Sequence, residues 1–193
     1  METRKTLIER VKNSQDDRNW EEFVHYYSDY IYKIIFSMGL PHHDIEDLRQ
    51  QILLKTWNAL PSMTYDPDKN PFRSWLCTIV KNTVRSFYRK ASTKMKGKEQ
   101  EISESFSDLS TLPDVDSIAE KEWKVHVSSL AMESVSKKFE EGVIKAYKMF
   151  VQGASGEEVA EKCDLSINSV YVYKNRVQNA LIKEVLRLNQ ELS

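Results

Sequence analysis

Apolar residues return at three- and four-residue steps along most of this chain, and that period limits its possible folds more than any motif does. Trp20, Phe23, Tyr27, Ile31, Ile34 and Met38 trace one side of a single long helix, for which Gly39 is a natural stop. Glycine and proline number only 5 each in 193 residues. That is too few for the turns of an all-β chain, so the expected fold class is all-α.

Other helices follow from the same pattern. Leu7, Ile8 and Val11 suggest a short one at the N-terminus. Pro41 opens another, in which Ile45, Leu48, Ile52 and either Thr56 or Trp57 share a face, ending near Pro61. TYDPDKNP at 64–71 is loop by composition, with Asn70 and Pro71 suited to start the next helix. That helix carries Phe72, Leu76, Ile79 and Thr83 inward and runs on to Lys90. Residues 1–91 therefore read as one small helical domain. From Ser92 to about Ser117 the period disappears into Ser, Lys, Glu and Asp, which is linker chemistry. A flexible tether of that length spans about 30 Å on average. Residues 118–193 read as a second domain, with a helix near 120–133, one through Val143, Ile144, Tyr147 and Phe150, a stop at Gly153, and two more beyond.

The formal net charge is −1, which by itself argues against a nucleic-acid partner. The distribution says otherwise. Residues 1–98 hold 17 Lys/Arg against 12 Asp/Glu, whereas 99–123 hold one lysine against eight acids. Cys77 and Cys163 stand alone without a CxxC or Cys/His framework, so neither a disulfide fold nor a zinc site is expected, and free thiols fit a reducing cytosol. No run is apolar enough to cross a membrane, and METRKTLIERVKNS has no secretory character, so a soluble cytoplasmic protein is expected.

The segment from Ser155 carries the sharpest local signal. Ser155-Gly-Glu-Glu158 is a capping box, Ala160 is small where a second helix must approach, and Cys163-Asp164-Leu165 is a short turn. Ser166 can cap a further helix whose inward stripe is Val170, Val177, Leu181 and Val185. Two short helices about a tight turn describe a helix-turn-helix. Its second helix would offer Asn168, Ser169, Tyr171, Lys174, Asn175 and Arg176 to a major groove, with Asn and Arg suited to base edges and Lys and Tyr to phosphates. The bland alternative is a helical hairpin whose polar face meets only water, and periodicity does not choose between them. In the N-terminal half, Arg73, Lys81, Asn82, Arg85, Arg89 and Lys90 are interleaved with aromatics, a composition that suits an unstacked strand. Trp75 and Phe72 read more simply as core.

Taken together these stretches resemble one family, the bacterial sigma factors of the extracytoplasmic-function type. DIEDLRQQILLKTW at 44–57 is similar to the family's polymerase-docking region, PFRSWLCTIVKNTVRSFYRK at 71–90 to its minus-ten helix, and EEVAEKCDLSINSVYVYKNRV at 157–177 to its minus-thirty-five helix-turn-helix. The resemblance covers nearly the whole chain, in the family's order. It implies that Asp44, Asp47, Leu48, Gln50 and Gln51 contact the polymerase clamp. It implies that Tyr65, Asp66, Asp68, Lys69 and Asn70 capture a flipped minus-ten base, while Lys81, Asn82, Arg85 and Arg89 hold the non-template strand. Asn168, Ser169, Tyr171, Val172, Tyr173, Lys174, Asn175 and Arg176 would face the minus-thirty-five element. The implied partners are core RNA polymerase, through clamp and flap, promoter DNA as duplex and as non-template single strand, and, as an option, an anti-sigma factor. No cofactor or metal is implied. Two departures stand out: Tyr171 and Tyr173 lie where the family commonly has basic residues, and Asp164 replaces its turn glycine.

Two competing readings differ in class. A stand-alone regulator would use the helix-turn-helix alone and bind palindromic half-sites as a dimer, but it leaves the basic helix after DPDKNP without a task. A helical enzyme would have to use His42, His43 and Asp44, whose adjacency on a helix points them apart, and no HExxH, P-loop or glycine-rich phosphate motif occurs. His25 and His126 read as isolated surface residues.

Overall fold

The computed structural model describes residues 6–13, 16–64, 72–95 and 114–192. Among them are eight α-helices and no strand: α1 (Leu7–Asn13), α2 (Asp17–Ser37), α3 (His42–Ala59), α4 (Phe72–Met95), α5 (Val115–Ser136), α6 (Glu141–Val151), α7 (Gly156–Cys163) and α8 (Ile167–Glu191). The fold is all-α. The chain divides into two compact units, one reaching Lys124 and including Leu192, the other spanning Val125–Glu191.

In the first unit α2 is the central beam. Asp16 caps it by accepting from the Arg18 amide at 3.0 Å, and Gly39, at φ 78°, takes the chain through the left-handed turn that follows. Its buried side, Phe23, Tyr27, Tyr30, Ile31, Ile34 and Ile35, meets Leu7, Ile8 and Val11 of α1, Ile45, Leu48 and Ile52 of α3, and Phe72, Leu76, Val80 and Val84 of α4. Aromatic rings seal one end: Trp20 stacks on Phe23 at 4.9 Å and meets Trp57 edge-on at 4.9 Å, and Phe72 meets Tyr27 edge-on at 5.2 Å. Burying a dozen such side chains at about 1.5–3 kcal/mol each is what offsets the ordering of these helices. Of the two residues that could close α3's inner face, Thr56 is fully buried and donates to the Ile52 carbonyl, while Trp57 sits at the rim.

The first turns of α5 belong to this unit. Ala119 offers its carbonyl to the Tyr30 hydroxyl at 3.1 Å, and the Trp123 ring lies 5.2 Å from that of Tyr30. Helix α4 runs past Lys90 to Met95, and α5 starts at Val115 rather than near 120. Both extensions are Ser- and Lys-rich or acidic stretches whose weak apolar period hid their helicity. Cys77 lies in the core of this unit with its thiol pushed up by burial; Cys163 is the half-buried thiol of the other unit, with its Sγ 3.8 Å from Met149 Sδ.

The second unit holds the remainder of α5 with α6, α7 and α8. Val135, Ile144 and Val177 form one apolar cluster, and Ala146, Val159, Ala160 and Val170 form another. Glu184, only 6% exposed, sits on the inner side of α8. It accepts from Ser134 Oγ at 2.8 Å and from Arg187 Nη2 at 2.8 Å, and lies 3.4 Å from Lys138 Nζ. The Arg187 hydrogen bonds, helped by Ser134, overcome the cost of burial and hold its carboxyl down to about 2. His126, read from sequence as a surface residue, is instead buried.

Candidate nucleic-acid interface

Three exposed faces carry the residues singled out by the sequence. On α3, Asp47, Gln50 and Gln51 project outward. Leu54, 60% exposed, lies one turn beyond Gln50 on the same face and was not picked out by its polarity. Leu48 corrects the sequence reading: it is 1% exposed and faces the core, because it shares the i, i+4 line of Ile52 and cannot also reach a partner. Asp44 is half-buried in the first turn of α3, with His43 Nε2 3.1 Å away.

Helix α4 presents Asn82, Arg85 and Arg89 to solvent. Lys81 is half-buried, and its ammonium is engaged by the Asp116 carboxylate of α5. Two turns earlier, Arg73 reaches Glu120 at 3.3 Å while its guanidinium lies 4.8 Å over the Trp123 ring. Between α3 and α4 an open pocket of about 400 Å³ is lined by Lys55, Asn58, Ala59, Ile79, Asn82 and Thr83. Lys55 donates to Thr83 Oγ1 at 3.0 Å across it. A base-sized slot with amide, ammonium and hydroxyl groups on its walls can hydrogen-bond the edge of an unstacked nucleobase. Lys55 and Asn58 are additions to the sequence-derived set; no local motif marks them, since only the packing of two helices joins them to Asn82. Tyr65, Asp66, Asp68, Lys69 and Asn70 lie outside the described residues.

In the second unit the helix-turn-helix is built as its caps dictate. Ser155 Oγ accepts from the Glu158 amide at 3.2 Å, and Glu158 accepts in return from the Ser155 amide at 3.2 Å. Asp164 ends α7 at φ 51°, ψ 51°, the left-handed conformation that glycine commonly supplies. Ser166 caps α8 by accepting from the Ser169 amide at 3.1 Å.

Along α8, Asn168, Val172 and Asn175 are exposed opposite the buried Val170 and Val177. Arg176 is also exposed, with its guanidinium 5.9 Å over Phe139. Tyr173 and Lys174 are half-buried, and the Lys174 ammonium lies 4.9 Å over the ring of Phe150. Tyr171 stays 45% exposed while leaning back toward α6 and α7, its ring 6.0 Å from Phe150. Ser169 spends its amide and hydroxyl on Ser166, so it shapes the turn more than it extends from it.

No helix among the described residues is long and apolar enough to cross a membrane. Within the same residues no three His, Cys, Asp or Glu side chains are grouped to hold a metal ion.

Comparison with known proteins places this geometry. The family described as Sigma-70 region 2 matches residues 23–93, the stretch that forms most of α2, all of α3 and most of α4. The curated protein "RNA polymerase sigma factor CnrH" of Cupriavidus metallidurans is 42% identical over 53 residues, 28% of this chain. The matched stretch spans about a quarter of that relative, 26% of its length. A solved structure titled "Structure of CnrH in complex with the cytosolic domain of CnrY" aligns with 92% of this chain and 93% of its own at 22% identity, with a TM-score of 0.37. The chain thus carries a sigma-70 region 2 domain over residues 23–93 and is similar over 53 residues to an RNA polymerase sigma factor.

Proposed function

We propose that this chain is a promoter-specificity subunit, which binds core RNA polymerase and directs promoter recognition, strand opening and transcription initiation in the cytoplasm. One observation carries the reading: the sigma-70 region 2 match falls on the helices that expose Asp47, Gln50 and Gln51 on one face and Asn82, Arg85 and Arg89 on another. A protein that must grip a polymerase and a melted strand together needs two such faces on one rigid body.

In this reading the N-terminal part, including 1–91, docks on the polymerase clamp through Asp47, Gln50 and Gln51, with Asp44 at the edge of that face. Residues 65–70 and the Lys55–Asn82 pocket receive a base flipped from the minus-ten element, and Lys81, Arg85 and Arg89 take the strand's phosphates. Opening about four base pairs costs roughly 5 kcal/mol of stacking. Stacking and capture of individual bases, at about 1–3 kcal/mol each, offset much of that. The second unit brings the helix-turn-helix to the minus-thirty-five duplex and the polymerase flap. An anti-sigma factor that masks these faces is the natural controller. The bond-forming chemistry belongs to the polymerase, and the chain itself is no catalyst.

Co-purification with bacterial core RNA polymerase tests the reading. Stoichiometric binding that Asp47→Ala with Gln50→Ala weakens at least tenfold is the expected result. Absence of binding by the wild type, with a dimer on palindromic DNA, would instead make it a stand-alone helix-turn-helix regulator.

A further inference from the structure

Gly156 occupies the first position of α7, is buried, and has none of the positive φ that makes glycine necessary at Gly39 and Gly153. A glycine there forgoes the backbone stiffness an alanine would bring and stabilises nothing by its conformation. What demands it is space. A Cβ at Gly156 would stand 2.7 Å from the Tyr171 hydroxyl oxygen, 3.0 Å from Cζ and 3.1 Å from Cε2. Those are distances at which the ring must move.

The Tyr171 ring therefore rests on the bare backbone of α7's first turn. Its other neighbour is Phe150 of α6 at 6.0 Å, and that same Phe150 carries the Lys174 ammonium at 4.9 Å. Three helices thus converge on a tyrosine and a lysine, both drawn back from the crest of α8. The crest itself is left to Asn168, Val172 and Asn175.

We infer that Gly156 is a positioning residue that seats Tyr171, beside Lys174 on Phe150, as a contact to the DNA backbone, and that base reading belongs to the Asn168–Val172–Asn175 crest. The inference rests on the proposed function and deepens it. A hydroxyl and an ammonium beside the helix suit phosphate oxygens, whereas amide side chains on the crest can pair with base edges. It gives a geometric basis to the division that residue chemistry suggests, with Lys and Tyr toward phosphates and Asn toward base edges.

The test uses the full chain bound to core polymerase, with promoter fragments that differ only in the minus-thirty-five element. Gly156→Ala is expected to leave the melting temperature unchanged or slightly raised, since the helix gains an alanine. Promoter affinity should fall about tenfold for every minus-thirty-five sequence alike, with discrimination among them intact. In a Tyr171→Ala background the same substitution should cost nothing further, because the ring it displaces is gone. Asn175→Ala should do the reverse, altering discrimination more than overall affinity. Unchanged affinity in Gly156→Ala, or an undiminished loss on top of Tyr171→Ala, overturns the inference while leaving the sigma-factor reading in place. A wild-type complex that shows no promoter selectivity overturns both.

Discussion

Lys81 and Arg73 of α4 and Lys174 and Arg176 of α8 are kept in different ways. In the first unit Lys81 and Arg73 are met by carboxylates, Asp116 and Glu120 at the start of α5, so their charge is cancelled until a competitor arrives. In the second unit Lys174 and Arg176 lie over the rings of Phe150 and Phe139. A ring orients a cation without neutralising it. The contrast suits the two DNA states proposed for them. A helix that is to meet melted strand only inside a polymerase complex gains by exchanging one anion for another. A duplex reader must present its charge at first encounter.

The largest effect should come from the one carboxylate that is buried among the described residues. Glu184 is held at about 2, below the ordinary 4.5, chiefly by Arg187. Its folded form favours the ionised state, so its contribution is fully present above pH 4.5 and is lost as pH falls toward 2, up to about 3 kcal/mol. Acid titration followed by a probe in Val125–Glu191 should show that loss, and Glu184→Gln should flatten it.

Next in size is the minus-thirty-five crest. Asn175→Ala should change discrimination at one or two upstream positions by roughly 1–3 kcal/mol, measured as relative affinities of promoter variants. Equal losses on all sequences would make it a backbone contact and merge the two groups proposed for α8.

Arg85→Ala should slow promoter opening about tenfold, read by permanganate reactivity of the melted strand, with polymerase binding retained. A matching loss of polymerase binding would show that this face of α4 meets protein instead.

Smaller again is the carboxylate clasp. Asp116→Asn with Glu120→Gln should raise affinity for a single-stranded minus-ten oligonucleotide two- to fivefold at low salt, fading as salt screens the released cations. The smallest expected change is Phe150→Leu. Removing the ring beneath Lys174 should cost about 0.5–1 kcal/mol of duplex binding. A larger change on the clasp side than on the crest would reverse the contrast drawn above.

Much of this was legible in the residues. The period of α2 and α3, the capping box at Ser155 and the turn at Asp164 are local, and local chemistry determined them. The all-α class and the location of the faces followed. Features that depend on packing between distant segments were not legible. Asp116 lies 35 residues beyond Lys81, and Glu120 lies 47 beyond Arg73, with no periodicity linking either pair. Asp116 looked like tether because the charge that suggested a linker was the charge that pairs with Lys81 of α4. Leu48 misled differently: a motif match treats neighbouring positions as one contact set, whereas helix geometry sends Asp47 out and Leu48 in. Likewise Glu184 gave no sign of burial, since its partners Ser134 and Lys138 come from the end of α5 and the turn after it.

The two thiols offer a clock for each half of the molecule. Cys77 is 4% exposed, and burial keeps it protonated and poorly nucleophilic, so an alkylating reagent can reach it only when the first unit opens. Cys163, half-buried against Met149, is the corresponding thiol of the helix-turn-helix unit. Trapping kinetics at these two positions would therefore time the opening of each unit in the unlabelled chain. A partner that clamps one unit would slow one reaction and spare the other.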